Sequence, residues 1–262
     1  MDNDFVIFKR YSEEIAACIL NNPAKRNALS IPMMQQLCDY AERIEKDGKT
    51  RIWILRGNGA AFCAGLDMAE IMDPELGVES AKMVKRCLSA VYRIPVVTLA
   101  IVHGAARGGG AGLVAACDFA VANSDATIGF PEVRRGLVPA QVMSLLIRKL
   151  KRSDVKELLL SGEPVDAERA LQMGLFNRVG DVETAAREII AQVLQAAPGA
   201  LGKIKQLIDH LYSRSLQDDI EMCMQHYMKS REGEEAREGI RSFIEKRKPI
   251  WQKDSTPLNI PK

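Results

Sequence analysis

Short apolar runs alternate with amphipathic stretches along the first half of the chain. The apolar runs are bounded by polar or turn-forming residues, which is typical of strands buried in a parallel sheet. They lie at residues 15–20, 51–56, 96–102 and 119–122. Residues 32–45 and 78–92 repeat apolar positions at helical spacing, and Ser30 is suited to cap the first of these helices. Such alternation predicts βα crossovers and a mostly parallel sheet covered by helices.

The second half of the chain is almost entirely helical in its pattern. Stretches with apolar positions at helical spacing are separated at 162–164 and 197–199 by segments that contain glycine and proline. These stretches are residues 142–150, 154–160, 166–172, 182–196, 204–228 and 235–246. The predicted fold class is therefore α/β, with an α/β core followed by a helical region.

Composition and charge limit the kinds of partner that this chain can have. Hydrophobic residues make up 47% of the 262, enough for a large core, and the net charge is +2 with basic and acidic side chains interleaved. A surface built for nucleic acid or an anionic membrane is therefore not expected. The first ten residues contain acids where a signal peptide has basic residues, and no apolar run approaches the roughly 20 residues that span a bilayer. We expect a cytoplasmic protein.

The cysteines are widely spaced, with no C-x-x-C pair and no histidine at a spacing suited to zinc. They are Cys18, Cys38, Cys63, Cys87, Cys117 and Cys223. We expect reduced thiols that mostly fill the core, and no metal site.

The most informative segment is a glycine cluster that follows the predicted strand at 96–102. Gly108-Gly109-Gly110-Ala111-Gly112 leads into an apolar helical stretch. Glycines let the backbone approach a ligand closely, and the first turn of a helix offers unpaired N–H donors that can hold a phosphate or a developing oxyanion. The segment fits neither a P-loop nor a G-x-G-x-x-G fingerprint. Tight helix packing is the alternative interpretation.

A second turn of small residues, 57–67, follows the predicted strand at 51–56. Parallel strands bring their carboxyl ends to one edge of a sheet, where α/β proteins usually bind ligands. Each turn could supply one N–H group to the same oxygen atom. The two turns together therefore predict an oxyanion hole more sharply than either turn does alone.

A series of five motifs follows in order along the chain. The motifs are Asn21-x-Pro23-x-x-x-Asn27-Ala28-Leu29-Ser30, Phe62-Cys63-Ala64-Gly65-Leu66-Asp67, His103-Gly104 with Gly108-Gly109-Gly110, Cys117-Asp118, and Gly129-x-Pro131-Glu132-Val133-x-x-Gly136-Leu137-x-Pro139. In their order and spacing, these motifs resemble the crotonase family of enoyl-CoA hydratases and isomerases. Residues 243–248 resemble the closing helix of the family. The resemblance covers nearly the whole chain.

The resemblance implies a crotonase-like spiral of ββα units with a C-terminal helical trimerisation region. We expect residues 1–195 to form the spiral core and residues 196–262 the oligomerisation region, in a homotrimer or a dimer of trimers. The backbone N–H groups of Ala64 and Gly109 match the oxyanion-hole positions of the family.

By the same resemblance, the substrate is a thioester of coenzyme A and no further cofactor is needed. The residues implied in substrate binding are Lys25 and Arg26 at the CoA phosphates, Ala28, Ala64 and Leu66 along the pantetheine and adenine, Gly109 and Gly112 at the thioester and acyl group, and Phe243 and Lys246 from the closing helix of a neighbouring subunit. For Lys25 and Arg26, the residues alone favour a solvated turn.

Glu132 is the predicted catalytic acid/base. Hydration of a double bond needs a base for the attacking water and an acid for the α-carbon, and two-glutamate hydratases of the family supply both. Glu132 matches one of these glutamates, but Gly112 stands at the position of the other. This pattern resembles single-glutamate members that hydrate or dehydrate branched or carboxylated acyl groups, for which Gly112 would leave room. The non-catalytic interpretation of Glu132 is a solvated carboxylate, or a partner of Arg134 or Arg135.

Other functions remain open at the level of sequence. Δ3,Δ2-enoyl-CoA isomerases of the family also use one glutamate, and acyl-CoA decarboxylases use the same oxyanion hole. A CoA- or RNA-binding protein of the same fold is the non-enzymatic alternative, for which the basic run at 148–152 is the local support.

Four further polar residues have predicted roles. Arg107 is suited either to a distal carboxylate of the substrate or to a surface or subunit contact. Asp67 and Asp118 are expected to cap and tie turns, and His103 is expected to be a turn or core residue.

Overall fold

The computed structural model describes residues 4–211 and 233–251. The strands of this part are β1 (Val6–Arg10), β2 (Ile15–Leu20), β3 (Ile52–Gly57), β4 (Val97–Val102), β5 (Ala105–Arg107), β6 (Phe119–Ala122), β7 (Thr127–Gly129), β8 (Val165–Asp166) and β9 (Arg178–Val179). The helices are α1 (Ile31–Asp47), α2 (Met68–Met72), α3 (Pro74–Arg93), α4 (Gly109–Ala116), α5 (Ala140–Lys149), α6 (Arg152–Ser161), α7 (Ala167–Met173), α8 (Val182–Val193), α9 (Pro198–Leu211) and α10 (Glu234–Ile244). Two short 3-10 helices span Pro23–Lys25 and Pro131–Arg135.

The main sheet has the strand order β1-β2-β3-β4-β6-β9, and a second, smaller sheet has the order β5-β7-β8. In the main sheet, β1 pairs antiparallel with β2, and the other neighbours are parallel. The strands predicted from the sequence are β2, β3, β4 and β6, which lie side by side in the middle of this sheet. The prediction of a mostly parallel α/β sheet is therefore confirmed.

Both faces of the main sheet are buried, which explains why its central strands are apolar throughout. Along β3, Trp53 and Leu55 pack into one hydrophobic cluster, whereas Ile52 and Ile54 pack into the other. Successive side chains of a strand point to opposite faces, so each face takes alternate residues. All four are at most 1% exposed. Burial of each such side chain contributes about 1.5–3 kcal/mol, which fixes the positions of the strand ends that carry the glycine turns.

Helix α1 begins where the sequence predicts. The Ser30 hydroxyl accepts a hydrogen bond from the Met33 N–H at 3.4 Å, and Pro32 lies in the first turn, where its missing N–H costs nothing. Gly48 ends the helix in a left-handed conformation with φ of 61°.

Several short elements were not predicted. Strand β1 lies at the sheet edge with a partly exposed pattern, and β5, β7, β8 and β9 contain only two or three residues each in their ranges. Hydrophobic periodicity needs a longer window than these strands provide. Helix α2 was missed for the same reason. The pairing of β5, β7, β8 and β9 is set by contacts that are distant in sequence.

The helical second half is confirmed within the described residues. Helices α5 to α8 correspond to four predicted stretches, α9 begins before residue 204, and α10 corresponds to the stretch at 235–246. Residues 212–228 of the predicted helix and Cys223 lie outside the described part, as do the last eleven residues of the chain. The division at residue 195 and the trimerisation role stay predictions. No helix within residues 4–211 or 233–251 is long and apolar enough to cross a membrane.

Asp118 ties the main sheet to α9, as its predicted structural role requires. Its Oδ2 accepts hydrogen bonds from the Thr98 N–H at 2.7 Å and from Lys205 Nζ at 2.7 Å. The ion pair with Lys205 therefore joins the start of β4 to the helix that precedes the undescribed residues. The five described cysteines are free and buried, which confirms the prediction for these positions.

Candidate active site

The two small-residue turns meet beside the main sheet. Leu66 pairs with Leu29 in one isolated bridge, and Cys63 pairs with Ala106 of β5 in another. The segment after β3 is thereby held between the segment before α1 and the strand that leads into the glycine cluster. The prediction that the two turns come together is confirmed.

Asn27 organises this region from a fully buried position. Its side-chain amide donates to the carbonyl oxygens of Asn58 and Ala61, each at 2.8 Å, and its Oδ1 accepts from the Asn22 N–H at 2.9 Å. The residue has φ of 56°, a left-handed conformation that asparagine tolerates better than most residues. The sequence places Asn27 in the first motif, but it does not predict this positioning role, because Asn58 and Ala61 lie 31 and 34 residues further along the chain.

The glycine cluster opens α4 in the predicted manner. Gly108 is the N-cap with φ of 49°, and its N–H donates to the Gly129 carbonyl at 2.9 Å. Gly109 follows as the first residue of the helix, and its N–H has no acceptor among the described residues. A helix N-terminus carries a partial positive charge, so this N–H is suited to an anionic oxygen.

The prediction that the Ala64 N–H serves the oxyanion hole requires correction. This N–H donates to the Arg26 carbonyl oxygen at 2.9 Å. A donor engaged by a backbone carbonyl is not available to a ligand without loss of that bond. The bond holds the turn after β3 against the 3-10 helix Pro23–Lys25, so Ala64 has a structural role here.

Leu66 provides the free donor instead. The Leu29 N–H donates to the Gly65 carbonyl at 2.7 Å, and the Asp67 N–H donates to the Leu29 carbonyl at 3.0 Å. In this parallel pattern, Leu29 bonds the two neighbours of Leu66, so the N–H of Leu66 itself points away from Leu29. It has no acceptor among the described residues. A methyl group on Gly109 would lie 3.2 Å from Leu66 Cδ2, so Gly109 lies close to the side chain of Leu66.

Glu132 lies against the same glycine turn. It is the second residue of the 3-10 helix Pro131–Arg135, which begins directly after β7 and Phe130. A methyl group on Gly108 would sit 2.9 Å from Glu132 Oε1. The other oxygen, Oε2, is buried and accepts no hydrogen bond from the described residues. A buried carboxylate oxygen without a partner is costly, which distinguishes Glu132 from a solvated turn residue.

The protonation of Glu132 is shifted toward the neutral acid. Burial raises the pKa of this carboxyl above that of an ordinary glutamate, while its own backbone N–H and the charge of Arg135 act in the opposite direction. Enzymes raise the pKa of a carboxyl in this way when it must both accept and donate a proton.

The prediction that Gly112 leaves room for a bulky acyl group is wrong for this structure. A methyl group on Gly112 would lie 2.6 Å from Val142 Cγ1 and 3.3 Å from Leu88 Cδ2. Gly112 is buried, and the space beside it is filled by side chains of α5 and α3. The glycine therefore allows close helix packing, and this position does not line an opening for substrate.

Arg107 and His103 are both engaged by the backbone. The Arg107 guanidinium donates to the Thr127 carbonyl and hydroxyl oxygens, each at 2.8 Å, which links β5 to β7. Burial lowers its pKa. His103 Nε2 lies 2.8 Å from the Gly59 carbonyl oxygen, which agrees with a turn residue. Of the two roles considered for Arg107, recognition of a distal carboxylate is disfavoured because the guanidinium already holds the second sheet.

The residues predicted to bind CoA occupy varied positions. Lys25 is exposed, and its Nζ pairs with Asp67 Oδ2 at 2.7 Å. The other oxygen of Asp67 caps α2. The hydrogen bond from Lys25 to Asp67, and the charge of Asp67, raise the pKa of Lys25. Arg26 is exposed, and Ala28 is 9% exposed. Lys246 is exposed just after α10, and Phe243 lies within that helix.

The described site thus combines backbone donors with one carboxylate. Within residues 4–211 and 233–251, no three His, Cys, Asp or Glu side chains cluster in a way that could hold a metal ion. The arrangement of the Leu66 and Gly109 donors beside Glu132 is suited to proton transfer next to a carbonyl whose oxygen becomes negative.

Comparison with known proteins agrees with this class of site. Residues 10–254 match the family described as enoyl-CoA hydratase/isomerase. A relative from Thermus thermophilus, whose name proposes an enoyl-CoA hydratase, is 36% identical over 243 residues, which are 90% of this chain and 96% of that protein. An enoyl-CoA isomerase/hydratase of Mycosarcoma maydis is 31% identical over 249 residues, covering 89% of this chain and 90% of its own. The crystal structure of an enoyl-CoA hydratase from Mycobacterium smegmatis has a TM-score of 0.87 and 29% identity, covering 94% and 98% of the two chains.

The chain belongs to the enoyl-CoA hydratase/isomerase family, and it has the crotonase fold. The resemblance seen in the sequence motifs and the expectation of an enzyme of this family are both confirmed. Membership supports a reaction on enoyl-CoA thioesters as substrates. The particular acyl group and the single-glutamate branch stay predictions.

Proposed function

We propose that this protein hydrates or dehydrates an α,β-unsaturated acyl-CoA thioester, with Glu132 as its single acid/base and the N–H groups of Leu66 and Gly109 as its oxyanion hole. The observation that carries the proposal is the position of Glu132. One of its oxygens is buried without a partner, and the other lies beside Gly108, next to the turn that presents free N–H donors.

In the proposed reaction, the thioester carbonyl oxygen accepts hydrogen bonds from Leu66 and Gly109. Glu132 takes a proton from a water molecule as the water oxygen bonds to the β-carbon. The electron pair of the double bond moves toward the carbonyl, which becomes an enolate held by the two N–H groups. Glu132 then returns the proton to the α-carbon and is again ionised. One donor of this kind typically contributes about 3–4 kcal/mol to transition-state stabilisation.

CoA binding and assembly are proposed from the family resemblance. Lys25 and Arg26 would approach the CoA phosphates, and for Lys25 this requires a change of partner from Asp67. Ala28 and Ala64 would line the pantetheine path. Phe243 and Lys246 would act on the site of a neighbouring subunit in a trimer or a dimer of trimers. The cytoplasmic location stays a prediction from the sequence.

Isomerisation of a Δ3-enoyl thioester is the second candidate. The same observation favours it, because one carboxylate can remove a proton from the α-carbon and return it to the γ-carbon through the same enolate. It differs from hydration only in that no water is added. The RNA-binding alternative is weakened because Lys149, one of the basic residues at 148–152, donates to the Cys117 carbonyl at 2.8 Å.

Absorbance of the conjugated enoyl-thioester band separates these candidates. The protein is incubated with crotonyl-CoA, 3-methylglutaconyl-CoA and a 3-enoyl-CoA in parallel. Loss of the band with either 2-enoyl substrate, with formation of the 3-hydroxyacyl product, supports hydration. A rise of the band with the 3-enoyl substrate alone supports isomerisation. Decarboxylation is tested in a separate incubation, by release of carbon dioxide from a malonyl-type thioester.

A further inference from the structure

Arg135 shares a face with the catalytic carboxylate. Glu132 and Arg135 are three residues apart in the 3-10 helix Pro131–Arg135. This helix type has three residues per turn, so side chains at this spacing lie one above the other. The charge of Arg135 acts on Glu132, whose pKa it lowers against the effect of burial.

Arg135 is exposed and has no hydrogen-bond or ion-pair partner among the described residues. Its neighbour Arg134 is different, because the Arg134 guanidinium pairs with Glu163 and donates to the Ser161 carbonyl at 3.1 Å. Arg134 therefore fastens the turn to the end of α6. Arg135 has no such structural task in the described part of the chain.

Three apolar side chains of the same segment as Arg135 are exposed. Val133, Leu137 and Val138 are 40%, 48% and 74% exposed. Such a surface suits the hydrocarbon part of an acyl group. A guanidinium beside these side chains favours a group of opposite charge, and its fork matches a carboxylate.

We propose that Arg135 determines acyl specificity by binding a carboxylate at the far end of the acyl group. This inference rests on the proposed function and names the substrate class of the same site. The sequence suggested this role for Arg107, but the Arg107 guanidinium is engaged by Thr127. The Arg135 guanidinium has no such partner among the described residues. The substrate is then an enoyl-CoA that carries a second, distal acid.

Glutaconyl-CoA and crotonyl-CoA form a matched pair of substrates, since they differ by one terminal carboxylate. The wild type is expected to have the higher kcat/KM for glutaconyl-CoA. Arg135→Gln is expected to lower kcat/KM for glutaconyl-CoA by about 10- to 100-fold, the range of a charge-assisted hydrogen bond, and to change that for crotonyl-CoA much less. The ratio of the two values cancels any effect of Arg135 on the pKa of Glu132.

Arg134→Gln is the matched control, since it removes an adjacent guanidinium of the same turn. It is expected to leave the ratio of the two kcat/KM values unchanged, even where it lowers both. Equal losses for both substrates in Arg135→Gln, or no preference for glutaconyl-CoA in the wild type, would overturn the proposal. Hydration of crotonyl-CoA that depends on Glu132 reports the proposed function separately, because crotonyl-CoA has no distal carboxylate.

Discussion

The carboxylate of Glu132 packs against Gly108, so that a methyl group on Gly108 would lie 2.9 Å from Glu132 Oε1. Gly108 also has φ of 49°, a conformation that side chains rarely adopt. Gly108→Ala is therefore expected to displace the Glu132 carboxylate and to lower kcat by at least about 10-fold, in addition to a backbone strain of about 1–2 kcal/mol. Turnover of crotonyl-CoA and thermal unfolding measure the two effects.

Gly174→Ala is the control that separates backbone strain from displacement of the Glu132 carboxylate. Gly174 has φ of 93°, and a methyl group there would contact nothing within 4 Å. This variant is expected to lose stability and to keep its kcat. A similar kcat for Gly108→Ala and the wild type would show that the glycine does not serve the carboxylate.

The pH dependence of kcat/KM should reflect the buried position of Glu132. Burial raises the pKa of this carboxyl, and the ionised form is the one that accepts a proton from water. Activity is therefore expected to fall with decreasing pH from a midpoint above the pKa of an ordinary glutamate. Arg135→Gln removes a charge that lowers this pKa, so the acid limb for crotonyl-CoA is expected to move to still higher pH. An acid limb at or below the ordinary glutamate value would contradict the assignment.

The two oxyanion donors can be tested by replacing a single amide with an ester. An α-hydroxy acid at position 66 removes the Leu66 N–H, which bonds no described residue, and is expected to lower kcat by about 100- to 1000-fold. The same change at position 64 removes the bond from Ala64 to the Arg26 carbonyl, and is expected to cost about 0.5–1.5 kcal/mol of unfolding free energy with a smaller effect on kcat. A large loss of kcat at position 64 and a small one at position 66 would instead assign the oxyanion-hole donor to Ala64.

Removal of the Gly109 N–H can be tested by ordinary mutagenesis, with proline in place of glycine. Gly109 is the first residue of α4, where proline is tolerated because the N–H is not part of the helix. Gly109→Pro removes the donor, whereas Gly109→Ala adds a methyl group and keeps it. Only the proline variant is expected to lose kcat on the scale of an oxyanion donor.

Close packing at Gly112 predicts a stability effect with a specific rescue. Gly112→Ala places a methyl group 2.6 Å from Val142 Cγ1 and is expected to cost about 1–3 kcal/mol through overpacking. Val142→Ala removes the clashing group, so the double variant is expected to be more stable than the sum of the single effects predicts. Denaturant unfolding of all four proteins measures this coupling. Strict additivity would indicate that the space beside Gly112 is open after all.

The sequence predicted the central sheet and Glu132 because each depends on local information. Continuous apolar runs mark β2, β3, β4 and β6, and the motif around Glu132 is contiguous. The donor proposed from the structure lies two residues from the one expected from the sequence, since the direction of an N–H depends on pairing with Leu29 and Arg26, which lie far back in the chain. The space beside Gly112 could not be predicted either, because Val142 and Leu88 that fill it are distant in sequence.

The most direct test of the central claim is hydration of crotonyl-CoA by the wild type and Glu132→Gln under identical conditions. Glutamine keeps the size of the side chain and cannot accept and return a proton, so kcat is expected to fall by about 100- to 10,000-fold. Because the folded state raises the pKa of Glu132, its ionised form opposes folding at neutral pH, and Glu132→Gln is expected to unfold at the same or a higher temperature than the wild type. A folded Glu132→Gln that hydrates crotonyl-CoA within a few-fold of the wild-type rate would contradict the account.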